Sequence, residues 1–194
     1  FPAMFRVMFP VVFPVMFRVI HLELKRYFGI SELLSKNNAS ALYEQTNAMA
    51  TSTDFSTLSL LEKMNVERVC TTDDPLDNLE HHKTFATGKN KIQMNPAFRP
   101  DKSILIEASH FNDYIEALGT AADIHIKNFN DLCEALQKRM DYFHEYGCSI
   151  ADHGLEYIPF REASQSEIER IFSKRRTGSQ LEREESEKFQ TALI

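Results

Sequence analysis

The chain has 194 residues, 43% hydrophobic and 26% charged, with a formal net charge of −6 and a sequence pI near 5.7. It is long enough to bury a core as one domain, and its acidic balance argues against a phosphate-binding surface, so no nucleic-acid partner is expected. Three cysteines (Cys70, Cys133, Cys148), odd in number and without CxxC spacing, argue against a disulfide framework and read as free thiols of a reducing, cytoplasmic compartment.

The first nineteen residues differ from the rest. Phe1, Phe5, Phe9, Phe13 and Phe17 recur every fourth position, a helical period, but Pro10 and Pro14 would break such a helix. A membrane span needs about 20 apolar residues, whereas Arg6 and Arg18 bracket only eleven with both prolines inside. A signal peptide would need a small-residue cleavage site, which is missing. Residues 1–19 therefore read as a low-complexity leader with no membrane partner.

Composition turns ordinary from Ile20. The segment Ile30–Ala50 reads as helical with a turn at Asn37–Asn38, and Asp54 is placed to cap a helix carrying Phe55, Leu58, Leu61 and Met64, ended by Asn65. A strand is expected over Val66–Cys70. Pro75 should then open a helix through Leu76, Leu79 and Phe85, closed by Gly88. A second strand covers Lys91–Asn95, and His110–Leu118 reads as a short helix stopped by Gly119. The clearest helix is Asn130–Tyr146, where Phe129, Leu132, Cys133, Leu136, Met140 and Phe143 form one stripe and Gly147 is the C-terminal cap. A third strand follows at Cys148–Ala151. Capping boxes are expected at Ser164 with Glu167 and at Ser179 with Glu182, before a last helix still in progress at Ile194, which reads as a truncated protein. Strands separated by helices imply a parallel sheet and an α/β fold. Three strands are too few for a closed eight-stranded barrel, leaving a small open unit or a slice of something larger. The expected divisions are the leader 1–19, a helical segment 20–65 and βα units over 66–194.

Each apolar run stops at a polar cluster, where parallel sheets place their ligands. Asp73 and Asp74 follow the first strand behind Thr71 and Thr72. One carboxylate can cap the next helix and complement its dipole; a second is surplus to that role, which makes the pair candidates for a site. Arg99 precedes Pro100, which forces extended backbone, so its guanidinium can take a carboxylate bidentately; the alternative is an ion pair with Asp101 or an acid on a neighbouring strand. His153, between Asp152 and Gly154, is either a satisfied structural imidazole or a proton-transfer or substrate-contact group. His81 and His82 are adjacent on a helix and face different ways, so joint metal ligation is not expected. The sequence has no HxH, HExxH, GxSxG or glycine-rich phosphate loop, and no complete zinc site can be built from its motifs.

Taken together, these segments resemble the uronate isomerase (glucuronate isomerase) family. The resemblance is carried by His21-Leu22-Glu23-Leu24-Lys25-Arg26, Phe28-Gly29-Ile30, Thr71-Thr72-Asp73-Asp74-Pro75-Leu76-Asp77-Asn78-Leu79-Glu80-His81-His82, Phe98-Arg99-Pro100-Asp101-Lys102 and Ala151-Asp152-His153-Gly154-Leu155-Glu156. These occur in the family's order and cover residues 20–194; the leader matches nothing in it. The resemblance implies an amidohydrolase-like (β/α)8 TIM barrel, of which this chain would hold about three parallel βα units and part of a helical insertion. It implies interconversion of D-glucuronate with D-fructuronate, and of D-galacturonate with D-tagaturonate, by a homo-oligomeric enzyme using a divalent metal, zinc in this reading. Asp73, Asp74 and His153 would lie on the catalytic face, with Arg99 and Asp152 contacting substrate. The family's His-x-His metal pair and its late-strand site residues lie beyond this chain, so a complete metal site and turnover by the chain alone are not expected. Two other classes compete: a small α/β module that binds an acidic metabolite through Arg99, and a helical interaction protein that docks a partner through its apolar N-terminus.

Overall fold

The structure, a computed structural model, describes residues 17–194. The leader expected at 1–19 thus lies outside the described residues except for 17–19, which are helical. The chain divides into two compact units, Phe1–Val66 and Glu67–Ile194.

In the first unit, helix α1 (17–28) is followed by α2 (Ala39–Ala50), a 3-10 turn (Thr53–Phe55) and α3 (Thr57–Lys63). Leu24, Ile30 and Leu42 are buried together, with Ile20, Phe28 and Leu34 packed against them. Gly29 takes φ 68°, a left-handed position that favours glycine, and the chain then turns back so that Ile30 N donates to Leu24 O at 3.0 Å. The expected cap at Asp54 is not formed. Asp54 lies within the 3-10 turn, and the cap of α3 is Ser56, whose Oγ accepts from Ser59 N at 3.2 Å. Ser56 stands immediately before the helical residues, so its hydroxyl, not the Asp54 carboxylate, meets the first free N–H groups. Asn65 does end α3, at φ 55°, with Val66 N closing onto Leu61 O at 3.0 Å.

The second unit holds β1 (Arg68–Cys70), α4 (Glu80–Thr87), β2 (Gln93–Asn95), α5 (Asp101–Ile104), α6 (Phe111–Ala122), α7 (Phe129–Glu145), α8 (Gln165–Arg176) and α9 (Arg183–Leu193). β1 and β2 pair in parallel with Arg68 opposite Gln93. Their ladder continues as single parallel bridges, Asp73 with Phe98 and Phe98 with Ala151. This is a parallel α/β arrangement with a sheet shorter than the apolar runs suggested, and the third strand is reduced to one bridge. Phe111, Phe143, Phe172 and Phe189 are fully buried among Leu118, Leu132, Ile168 and Ile171, each contributing about 1.5–3 kcal/mol of burial. Phe111 meets Phe172 and Phe189 edge-on at 6.3 and 5.9 Å.

Several helix expectations are corrected here. Pro75 opens no helix: α4 begins at Glu80, because Asp74, Asp77 and Asn78 turn the backbone with side-chain bonds to Leu76 N, Leu79 N and Glu80 N. Gly119 does not stop α6, which runs three residues further to Ala122 and ends at Asp123, φ 53°. In α7, Cys133 and Met140 are exposed, and Ala135 and Arg139 take their place on the buried side. The last box forms later than expected, with Glu182 N donating to Glu185 Oε2 at 3.0 Å. At Ser164 only half of the expected box forms: its Oγ accepts from Glu167 N at 3.3 Å, while Glu167 Oε1 accepts from Lys188 Nζ at 2.9 Å. An unforeseen cap opens α7, where the Asn128 side chain accepts from Asp131 N and Asp131 reaches back to Asn128 N.

Candidate functional site

Backbone pairing carries three polar clusters to one end of the sheet. Thr71 N donates to Asn95 O, Asp73 N to Ala97 O and Arg99 N to Asp73 O, at 3.1, 3.0 and 2.9 Å. Phe98 N donates to Ile150 O at 3.1 Å and Asp152 N to Phe98 O at 3.2 Å. The three segments therefore run the same way, and Asp73, Arg99 and Asp152 leave them at their carboxyl ends on one rim.

Arg99, Asp101, Asp152 and His153 form one cluster. Arg99 Nη2 donates to Asp152 Oδ2, and its Nε is 4.0 Å from Asp101 Oδ2. Asp101 also accepts from His153 Nδ1 at 3.1 Å and from Gly154 N at 2.7 Å. The Asp152 hydrogen bond, aided by the charges of Asp152 and Asp101, raises the Arg99 guanidinium further above its ordinary value. Arg99 remains 36% exposed and so reachable by a ligand. Its Nε and Asp152 Oδ1 are buried without hydrogen-bond partners, so the pair retains unused donor and acceptor capacity. The alternative that Arg99 makes an ion pair with acids around it is realised, with both Asp152 and Asp101.

Asp74 sits in a second cluster. Its Oδ1 accepts from Leu76 N and from the Tyr114 hydroxyl, each at 3.0 Å, and Lys102 Nζ lies 3.2 Å from Oδ2. Burial first, then the Asp74 charge, pushes the Tyr114 phenol well above its ordinary range, so Tyr114 stays a neutral donor. Asp74 is thus the turn-forming acid of the pair. Asp73 is freer: Thr71 Oγ1 donates to its Oδ2 at 2.6 Å, and no partner among the described residues reaches Oδ1.

Asp152 is committed to Arg99 and Asp74 to Tyr114 and Lys102, and among the described residues no three His, Cys, Asp or Glu side chains converge on a point. The donors among the described residues do not by themselves fit a divalent metal.

Four contributors escaped the sequence reading. Thr71 and Lys102 lie within the family-like segments but no spacing assigns them a role, and Tyr114, outside those segments, reaches Asp74 from 40 positions away. His82 sits in the first turn of α4 with its side chain buried, whereas its neighbour His81 is exposed.

A profile for glucuronate isomerase matches residues 1–194. The chain is similar to the uronate isomerase of Flavobacterium johnsoniae, with 45% identity over 174 residues, covering 90% of this chain and 37% of that protein. Against the uronate isomerase of Yersinia enterocolitica the identity is 44% over 176 residues, covering 90% and 38%. The chain thus spans well under half the length of these relatives. Among solved structures, uronate isomerase from Thermotoga maritima superposes with a TM-score of 0.83 at 27% identity, over 91% of this chain and 39% of that one. Glucuronate isomerase from Caulobacter crescentus shares the fold, with a TM-score of 0.79 at 24% identity over 89% and 36%.

Proposed function

The chain belongs to the glucuronate isomerase family, and from that premise we propose that it is one part of a hexuronate isomerase. In this reading its three parallel segments are βα units of a (β/α)8 barrel, preceded by part of a helical insertion. The reaction interconverts D-glucuronate with D-fructuronate and D-galacturonate with D-tagaturonate in the cytoplasm. A proton leaves C2 of the open-chain aldose and returns at C1, while a hydroxyl proton moves from O2 to O1, so the atoms balance with no external oxidant. A half-exposed arginine on the rim matches the C6 carboxylate of every one of these sugars. Asp73, with one free oxygen, and His153 are the rim groups suited to accept or supply a proton, and Asp74 shapes the turn beside them. A divalent metal, zinc in this reading, would need ligands beyond the described residues and would supply a Lewis acid for the carbonyl. The full-length enzyme is proposed to be a homo-oligomer.

The observation carrying the proposal is the arrival of Asp73, Arg99, Asp152 and His153 on one rim of a chain from this family. A full-length protein carrying this segment should convert D-glucuronate to D-fructuronate, and Arg99→Gln should raise its KM for D-glucuronate at least about tenfold, the loss expected when a charge-assisted bond is removed. An unchanged KM removes Arg99 as the carboxylate anchor. The competing reading, a non-catalytic module for an acidic metabolite, is favoured if the full-length protein gives no product while D-glucuronate, but not D-glucose, raises the melting temperature.

A further inference from the structure

Behind Asp73 lies a buried hydrogen-bond chain that the isomerase reading does not use. Thr71 Oγ1 is 2.6 Å from Asp73 Oδ2 and 2.7 Å from His82 Nε2. The His82 and Asp73 side chains are 7% and 11% exposed, and Nε2 stands 3.7 Å from the same carboxylate oxygen. One hydroxyl proton must serve this chain. With Asp73 ionised, the proton points at the carboxylate, so Thr71 can only accept from His82, and His82 must carry its hydrogen on Nε2. His82 Nδ1 is buried without a partner, so no other bond holds the ring in the opposite tautomer. A third candidate contact, Thr71 Oγ1 to Asn95 O, is long at 3.4 Å and does not compete with the 2.6 Å bond.

We infer that His82 is a positioning residue for Asp73, acting through Thr71 to fix the carboxylate by Oδ2 and leave Oδ1 without a partner among the described residues. The inference rests on the isomerase reading for its kinetic consequence but not for its structural one. A carboxylate with a fixed rotamer and one occupied oxygen presents one defined acceptor, whereas a freely rotating one spends part of its time turned away. The orphaned Nδ1 also gives His82 a reason to be histidine: a ring that served only to fill space could be Leu or Phe without an unsatisfied buried nitrogen. The geometry of α4 supports the role. Leu79, fully buried, stands immediately before this helix and His82 is buried in its first turn, so packing of Leu79 anchors the end from which the imidazole reaches.

The test has a structural and a kinetic arm. Nitrogen-15 NMR of the 194-residue chain should find the Nε2–H tautomer at His82 and its loss of hydrogen bonding in Thr71→Val; an Nδ1–H tautomer overturns the proposal. In the full-length protein, Thr71→Val and His82→Leu should each lower kcat about 10- to 100-fold with KM within about twofold. His82→Gln, whose amide nitrogen can replace Nε2–H, and Thr71→Ser should each recover at least about half of that loss on a logarithmic scale. A filler role predicts instead that Leu is tolerated and Gln is not, which overturns the proposal. Should the unsubstituted protein isomerise no hexuronate, the functional reading fails and the tautomer alone decides the chain.

Discussion

At the scale of single residues, two side chains outside the rim clusters brace the segments that follow them. Arg139 is 8% exposed and spends its donors on backbone: Nε on Pro75 O at 2.7 Å, Nη2 on Asp77 O at 2.8 Å and Nη1 on Ala121 O at 3.3 Å. Its guanidinium also lies 4.2 Å from the Tyr142 ring centre. It thereby ties the turn after Asp73 and Asp74 to α6 and α7. Arg139→Met should cost about 2–4 kcal/mol, since buried carbonyls lose their donors, read as a lowered urea midpoint. Glu187 does the same for the loop that follows His153. Its carboxylate, 9% exposed, accepts from Arg161 Nε, from Arg183 Nε at 2.8 Å and from the Tyr157 hydroxyl at 3.0 Å. The bonds from Arg161, Arg183 and Tyr157 lower this carboxyl from 4.5 to about 2. A depressed folded value means the contribution is complete above about 4.5 and fades as pH falls towards 2. Denaturant unfolding of the chain from pH 6 to 2.5 should therefore lose stability more steeply than the same series on Glu187→Gln. Parallel curves would show that the clamp contributes nothing.

At the scale of elements, the departures from periodicity share a cause in neighbours that the local pattern does not contain. Gly119 looks like a stop signal. Inside α6 it is instead the position where the turn after the helix folds back: Ile124 N donates to Gly119 O at 2.9 Å, and a Cβ at residue 119 would lie 2.7 Å from Ile124 O. Gly119→Ala would raise helix propensity, by up to about 1 kcal/mol, yet should destabilise by about 1–3 kcal/mol because backbone cannot move away as a side chain can. A gain in thermal stability would refute that close approach. Leu79 shows the opposite trade. It holds φ 56°, unusual for a non-glycine residue, while its side chain is fully buried and its N–H is bound to Asp77 Oδ1 at 2.6 Å. The strain of about 1–2 kcal/mol is offset by burying a leucine. No helix signal could have foreseen a left-handed leucine at the start of α4.

At the scale of the whole molecule, the described residues contain no helix long and apolar enough to cross a membrane, and the rim donors do not meet in a metal site. The 194-residue chain incubated with D-glucuronate and a divalent metal should accordingly yield no D-fructuronate; robust turnover would sink the proposal that it is only part of the enzyme. The parallel α/β order, the strand ends and the identity of the polar clusters are legible from local pattern alone, because period-two and period-3.6 patterns are local and polar residues interrupt them visibly. So is the family, through short segments kept in order. Which of those clusters touch was settled by packing. Arg99 choosing Asp152, Tyr114 reaching Asp74, His82 backing Thr71 and Arg139 bracing Pro75 all join residues distant in the chain or turned by helix phase. Such pairings depend on ångström-scale placement by packing, and neither spacing nor composition encodes that placement.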